Sequence, residues 1–280
     1  MQSVLIPAEA INPNAYMFES MYLYLLQTGQ ELVIRDAKVR ELEDVMLRFD
    51  PAYPVITSFK ARNLSLTYCK KEMLWYLGAD PYDNSIEQHA TMWKKLSQPD
   101  GSYFSNYGQY IFDRSKTPSQ FKYVVEELQR DMYSRRAAIV LLQPHHLFGD
   151  NVDTVCTYAI NFRIRQNRLN MTVMMRSNDA IFGTTNDAFC FWVIYKMMFA
   201  MLNDCYPTLK MGSYRHIVNS LHVYERHYEM LDQLVKDGQS GWYDIEVPEL
   251  SADEAIQMLN HRPNVPVGPF TEWLHSETVS

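Results

Sequence analysis

Met175-Arg176-Ser177-Asn178-Asp179-Ala180-Ile181-Phe182-Gly183-Thr184-Thr185-Asn186-Asp187 is the stretch that organises this chain. It gathers a cation, carboxylates and amides around one glycine, directly after an apolar run. Upstream, residues 154–165 alternate: Cys156, Tyr158, Ile160, Phe162 and Ile164 share one face, with Thr157, Asn161 and Arg163 on the other. Gln166-Asn167-Arg168 reads as a turn into a partner strand over 169–175. Downstream, 187–203 is a strongly apolar central helix, 216–224 is strand-like and 225–235 helical.

Elsewhere Pro13 fits a first helical position and Gly29 a stop, so a helix spans 13–28. Residues 31–49 show no clear period and read as a short strand and loop around Arg35. A helix over 64–77 stops at Gly78, with Leu66, Cys69, Met73 and Tyr76 on one face and Glu72 inside the same apolar arc. Ser85 with Gln88 starts a helix carrying Trp93. An amphipathic helix over 118–133 precedes a strand over 137–142, and Ser251 opens a short helix near the end. Strands and helices alternate irregularly, which predicts a mixed α/β layered fold in one domain over 1–280.

Composition narrows the function. A net charge of −7 argues against a nucleic-acid binder, and 47% hydrophobic with 21% charged residues is ordinary globular composition. The four cysteines show no paired or ligand spacing, and His145-His146 lacks further ligands, so no metal is expected. The longest apolar run, 188–202, is interrupted by Lys196 and shorter than the ~18 residues of a membrane span. The expectation is a soluble, cytoplasmic protein acting on a small molecule.

Cys156 is the candidate nucleophile, because a thiolate attacks and nearby cations favour it; Arg176 lies across the predicted hairpin. Arg35, Arg135, Arg136 and Arg176, with Ser177, form a candidate phosphate set, since guanidinium forks match phosphate oxygens bidentately. Glu72 on an apolar helical face is either an ion-pair partner or a working acid–base. His222 and Tyr224 share a strand face and suit a sugar hydroxyl. Asp187 is either the N-cap of the central helix or a group that faces a ligand.

These segments resemble the thymidylate synthase and deoxycytidylate hydroxymethylase family, on the hydroxymethylase side. The likeness rests on Ser134-Arg135-Arg136, Arg176-Ser177-Asn178-Asp179, Gly183 with Asn186-Asp187, Lys71-Glu72-Met73-Leu74-Trp75-Tyr76-Leu77, Tyr107-Gly108 and Leu221-His222-Val223-Tyr224, over about residues 35–235. It implies a twisted mixed sheet flanked by helices, and a homodimer packed sheet to sheet in which Arg135 and Arg136 reach the partner's site. It further implies 5,10-methylenetetrahydrofolate as cofactor, with Trp93, Asp179 and Gly183 against its pterin. Tyr107 would assist removal of a C5 proton, and Ser177, Asn178 and Asp179 would line the substrate.

Where uridylate-acting synthases carry asparagine four residues after the motif glycine, this chain has Asp187. A carboxyl group complements the cytosine edge: one oxygen accepts from the amine and a proton is shared with N3. The resemblance therefore implies 5-hydroxymethylation of dCMP. A dCMP methyltransferase, a CMP hydroxymethylase, a divergent thymidylate synthase and an inactive nucleotide-binding relative are the alternatives. Val155-Cys156-Thr157 replaces the Pro-Cys-His of synthases, and Asn161 stands for their glutamine.

Overall fold

In the computed structural model, residues 12–34, 36–56, 59–148, 150–238, 245–260 and 265–277 are described. Six strands form one sheet: β1 (Gln30–Ile34), β2 (Ala37–Phe49), β3 (Ala138–Val140), β4 (Thr157–Arg165), β5 (Arg168–Asp179) and β6 (Lys210–Tyr224), in the order β1-β2-β6-β5-β4-β3. All neighbours are antiparallel except β5 and β6, which run parallel and so bring Asp179 beside His222. The helices are α1 (Pro13–Thr28), α2 (Leu66–Gly78), α3 (Gly108–Ile111), α4 (Gln120–Arg130), α5 (Gly183–Cys205), α6 (Tyr228–Asp237), α7 (Ala252–Asn260) and α8 (Pro269–His275). The mixed α/β layered fold expected from the alternation is the one observed.

Local chemistry accounts for the ends of several elements. Asn12 caps α1 by accepting from the Asn14 N–H, with Pro13 at the first helical position. Ser65 caps α2 through the Tyr68 N–H, and the helix runs through Gly78 to close on Ala79 at φ 53°, one residue past the predicted stop. Gln166 and Asn167 take φ 52° and 56°, the two left-handed residues of a two-residue hairpin whose twist suits the flanking strands.

α5 is buried on nearly every face, from Ala188 through Met198, and packs on β5 and β6 with α2, α4 and α7 around it. At 23 residues it is long and apolar enough to cross a membrane, contrary to the sequence expectation, because the helix extends past the apolar run at both ends. Yet 72% of its most apolar window is buried inside the fold, which makes it the core of a packed domain layer. The opposite face of the sheet leaves Met46, Val140, Tyr158 and Met174 exposed.

Four expectations are corrected. Residues 31–49 form the β1–β2 hairpin, with Glu31 bridging Arg40 and Lys38 across the strands, so their charges mark an exposed edge and not a loop. No helix runs from Ser85 to Trp93; two short 3₁₀ turns, Ser85–Gln88 and Thr91–Lys95, break at Ala90 in extended conformation. The helix predicted over 118–133 is shorter, capped at Ser119. The alternation over 154–165 also fails at its start. A bulge between Thr157 and Ala159 buries Thr157 and turns Tyr158 outward, so Tyr158 does not share the Ile160–Phe162–Ile164 face.

Candidate active site

The bulge sits next to Cys156, whose carbonyl accepts from the Arg176 N–H at 2.8 Å. The Arg176 guanidinium folds back on the chain leading to the cysteine: Nε donates to the Val155 carbonyl at 3.1 Å and Nη2 to that of Thr154 at 2.5 Å. The hairpin thus brings Arg176 against Cys156, as its sequence separation requires. Burial nevertheless outweighs the cation, with Asp187 and Asp153 adding to it, and pushes the thiol up to about 11. Burial thus favours the protonated thiol over the thiolate.

Asp187 lies one full turn inside α5, which begins at Gly183, so it is not the N-cap. Asp179 closes that helix end: its Oδ1 accepts from the Ile181 and Phe182 N–H groups at 2.7 and 2.9 Å. Asp187 instead accepts at Oδ2 from Asn178 Nδ2 at 2.7 Å. Burial raises its carboxyl to about 7 against that hydrogen bond. The neighbouring Asn186 points elsewhere, its Oδ1 accepting from the Cys69 thiol at 3.2 Å and Arg62 Nη2 at 3.4 Å.

Glu72 projects from α2 at 4% exposure. Its Oε1 accepts from Tyr76 Oη at 3.3 Å, and its Oε2 is buried without a hydrogen-bond partner among the described residues. Burial, then the charge of Asp187, raises it to about 8; Tyr76 and Tyr68 oppose the shift. The ion-pair reading fails, since no described cation reaches it. Tyr107 stacks on Tyr76 at 5.3 Å and on Phe191 at 6.1 Å, and the charges of Asp187 and Cys156 both register on it. Gly108 permits that stack: a Cβ there would lie 1.7 Å from the Tyr76 carbonyl.

Cys156, Glu72, Tyr107 and Asp187 are thereby drawn around one hollow with Asn178, with Glu72, Tyr107 and Asn178 buried and Cys156 and Asp187 half-buried. Two buried oxygens around it have no hydrogen-bond partner among the described residues: Glu72 Oε2 and Asn178 Oδ1. Unpaired buried polar atoms cost about 1–3 kcal/mol each, so they mark where a polar ligand would dock. On the parallel β5–β6 pair, Ser177 is opposite Ser220 and Asp179 opposite His222; His222 and Tyr224 stack edge to face at 5.1 Å.

Other predicted residues sit apart. Arg135 and Arg136 are exposed ahead of β3, at the end of β4 remote from Cys156. Trp93 is 5% exposed, packed on Trp75 and Tyr103, and donates to Tyr68 Oη at 3.0 Å. Arg35 lies outside the described residues. A Cβ at Gly183 would meet Asn178 Nδ2 at 3.1 Å and Asp179 Cβ at 3.4 Å, so the glycine keeps this wall of the hollow low.

Sequence reasoning missed Tyr68, Tyr76 and Arg62. Tyr76 follows Glu72 by four positions, one helical turn, a spacing that could have flagged it. Arg62 is buried, with Nε on the Ile181 carbonyl at 2.7 Å and its guanidinium over the Phe182 ring at 4.3 Å; it steadies the turn before α5. No local pattern announces it.

Comparison with known proteins aligns with this geometry. The thymidylate synthase family model matches residues 17–260. The deoxycytidylate 5-hydroxymethyltransferase of Enterobacteria phage T6 is 30% identical over 228 residues, covering 79% of this chain and 90% of the relative. The deoxyuridylate hydroxymethyltransferase of Bacillus phage SP01 is 28% identical, covering 73% of this chain and 56% of its own length. Among solved structures, thermostable thymidylate synthase A from Bacillus subtilis superposes with a TM-score of 0.67 at 22% identity, covering 84% and 86% of the two chains.

Proposed function

The chain belongs to the thymidylate synthase family, and from that premise we propose that it hydroxymethylates C5 of dCMP to give 5-hydroxymethyl-dCMP. The observation that carries the substrate is Asp187, a carboxyl raised to about 7 and gripped on one oxygen by Asn178. A group that holds its proton near neutral pH can share it with cytosine N3 while accepting from the exocyclic amine. The uracil edge offers a proton at N3 where this acid would offer its own.

Cys156 adds through Sγ to C6, and Arg176 is the cation that opposes burial as the thiol gives up its proton. Addition makes N3 more basic, so Asp187 passes its proton there and builds up nucleophilic character at C5. 5,10-Methylenetetrahydrofolate would supply the one-carbon unit. Asp179 and Gly183 would hold it, with Trp93 in the wall behind; the low wall at Gly183 fits a planar ring, and one Asp179 oxygen is left over from capping α5. Tyr107 assists removal of the C5 proton, and tetrahydrofolate would depart to leave a methylene on C5. Glu72, oriented by Tyr76, positions the water that captures the C5 methylene, and departure of Cys156 Sγ from C6 then restores the ring double bond and frees the product. Arg176 and Ser177, with Arg35, take the phosphate, and His222 and Tyr224 the sugar.

The active unit is a homodimer in this reading. The exposed Met46, Val140, Tyr158 and Met174 face of the sheet supports it. So does the position of Arg135 and Arg136, too far along the sheet to serve their own Cys156.

The test is incubation of the protein with dCMP, dUMP or CMP and methylenetetrahydrofolate, followed by mass spectrometry of the nucleotide. A gain of a hydroxymethyl group on dCMP is expected. A methyl product would overturn water capture, and turnover of dUMP alone would overturn the role of Asp187.

A further inference from the structure

The segment that carries Cys156 is tied to the loop that carries Tyr107 by residues the reaction above does not use. Asp153 lies three positions before the cysteine, and its Oδ2 accepts from the hydroxyl of Ser105, two positions before Tyr107. Gln98, 6% exposed, closes the same junction with both ends of its amide. Its Nε2 donates to the Asp153 carbonyl at 3.3 Å, and its Oε1 accepts from the Val152 N–H at 3.2 Å. Arg176 donates to the next two carbonyls, those of Thr154 and Val155, so each residue from Val152 to Val155 is held. Asn106, fully buried, ties the Tyr107 loop to the Asp80 carbonyl just past α2 at 3.0 Å, whereas Ser105 turns that loop toward the cysteine segment.

Ser105 and Asp153 are 48 residues apart, so the fold and not local turn chemistry brings them together. Ser105 is 8% exposed, and a hydrogen bond to a carboxylate is about twice as strong as one between neutral groups. Burial raises the Asp153 carboxyl, while the Ser105 hydroxyl, the Thr154 N–H and the charge of Arg176 oppose the shift. The charge of Asp153 registers in turn on both Cys156 and Tyr107, as that of Asp187 does, with Arg176 acting the other way on Cys156. Asp153 therefore stands within electrostatic reach of two groups that must act on adjacent ring carbons. A misplacement of about 1 Å between such groups can cost about 10²-fold in rate.

We propose that Asp153 is a positioning residue: bridged to Ser105, it fixes the Cys156 thiol relative to the Tyr107 phenol, so that attack at C6 and proton loss at C5 share one geometry. The inference rests on the hydroxymethylation reading given above and adds the pair that frames it. Asp153 acts here through its neighbours, with no contact to the nucleotide. Its charge has a separable effect, which is to disfavour the thiolate of Cys156 and so offset Arg176.

Two measurements on the full chain test this: steady-state turnover of dCMP with methylenetetrahydrofolate, and alkylation of Cys156 by iodoacetamide across pH without nucleotide, read by peptide mass spectrometry. Asp153→Ala and Ser105→Ala each lower kcat about tenfold with KM for dCMP unchanged, the scale of one charged hydrogen bond. The double variant is no slower than either single one, because both remove the same bridge. Asp153→Asn still accepts from Ser105 and recovers most of kcat. Alkylation separates charge from bridge: both Asp153 variants react at lower pH than the parent, and Ser105→Ala, which keeps the carboxylate, reacts at the parent's pH. Ser105→Ala and Asp153→Asn carry the test if Asp153→Ala does not fold. Parent-like kcat in Ser105→Ala, a loss as large in Asp153→Asn as in Asp153→Ala, or losses that multiply in the double variant would overturn the bridge. An alkylation profile unmoved by Asp153→Asn would place the carboxylate out of reach of Cys156 and overturn the proposal too. A parent that turns over no dCMP sinks the hydroxymethylase reading, whereas an active parent matched by its variants sinks the role of Asp153 alone.

Discussion

At the Cys156 end of the sheet, burial raises the proton affinity of both Glu72 and Asp187, and the charge of Asp187 raises that of Glu72 further; at the hairpin end, Arg48, Arg163 and Arg215 crowd together without a counter-charge among the described residues. The first group escapes the cost of buried charge by holding protons, and the thiol of Cys156 does the same. The second has no such recourse, because a guanidinium cannot become neutral near pH 7. A cluster of acids can therefore rest neutral, tuned to exchange protons with a bound base. A cluster of arginines stays a fixed field that only an anion relieves.

Three substitutions would break or sharpen that contrast. Cys156→Ala should lower turnover of dCMP by at least about 10⁴-fold, the scale for losing a covalent nucleophile, with dCMP binding by titration largely kept. Turnover near the parent rate would end the covalent mechanism. Asp187→Asn keeps shape but removes the exchangeable proton. Its kcat/KM for dCMP should fall by about 10²–10³-fold, the range for a general acid, while the ratio of dUMP to dCMP turnover rises. An unchanged ratio would remove Asp187 from base selection.

Glu72→Gln should have the smallest effect and the clearest pH signature. The fold favours the protonated carboxyl, raised from 4.5 to about 8. Its burden on stability is absent below about pH 4 and grows as pH rises toward 8, where the unfolded chain releases the proton more readily. The variant should melt a few degrees above the parent at pH 8, with the gap closing toward pH 4. A gap independent of pH would mean that Glu72 carries no raised proton affinity.

Much of the fold was legible because its longest elements carry strong periods: the apolar α5, the β4–β5 hairpin with its Gln166-Asn167 turn, and the capped α1 and α2. The acids Glu72 and Asp187 stood out as carboxyls in apolar company, and the structure gathers both with Cys156. What stayed hidden depends on packing between distant segments. Register alone cannot reveal a bulge at Thr157–Ala159, which adds one residue to the strand without changing its composition. Trp93 looked like a helical residue because turns of 3₁₀ share the polar-apolar spacing of a helix over so few residues. The arginines on β2, β4 and β6 lie far apart in the chain, and only the sheet order shows that they converge.

The protons held by Glu72, Asp187 and Cys156 give the free site a measurable thermochemistry. Burial raises the proton affinity of all three, most of all keeping Cys156 a thiol, and brings Asp187 into the neutral range. A nucleotide that engages Asp187 must draw a fraction of a proton from the medium, or release one, as it docks. The apparent binding enthalpy will then vary with the ionisation heat of the buffer, and the slope of that variation counts the protons that move before any bond to carbon is made.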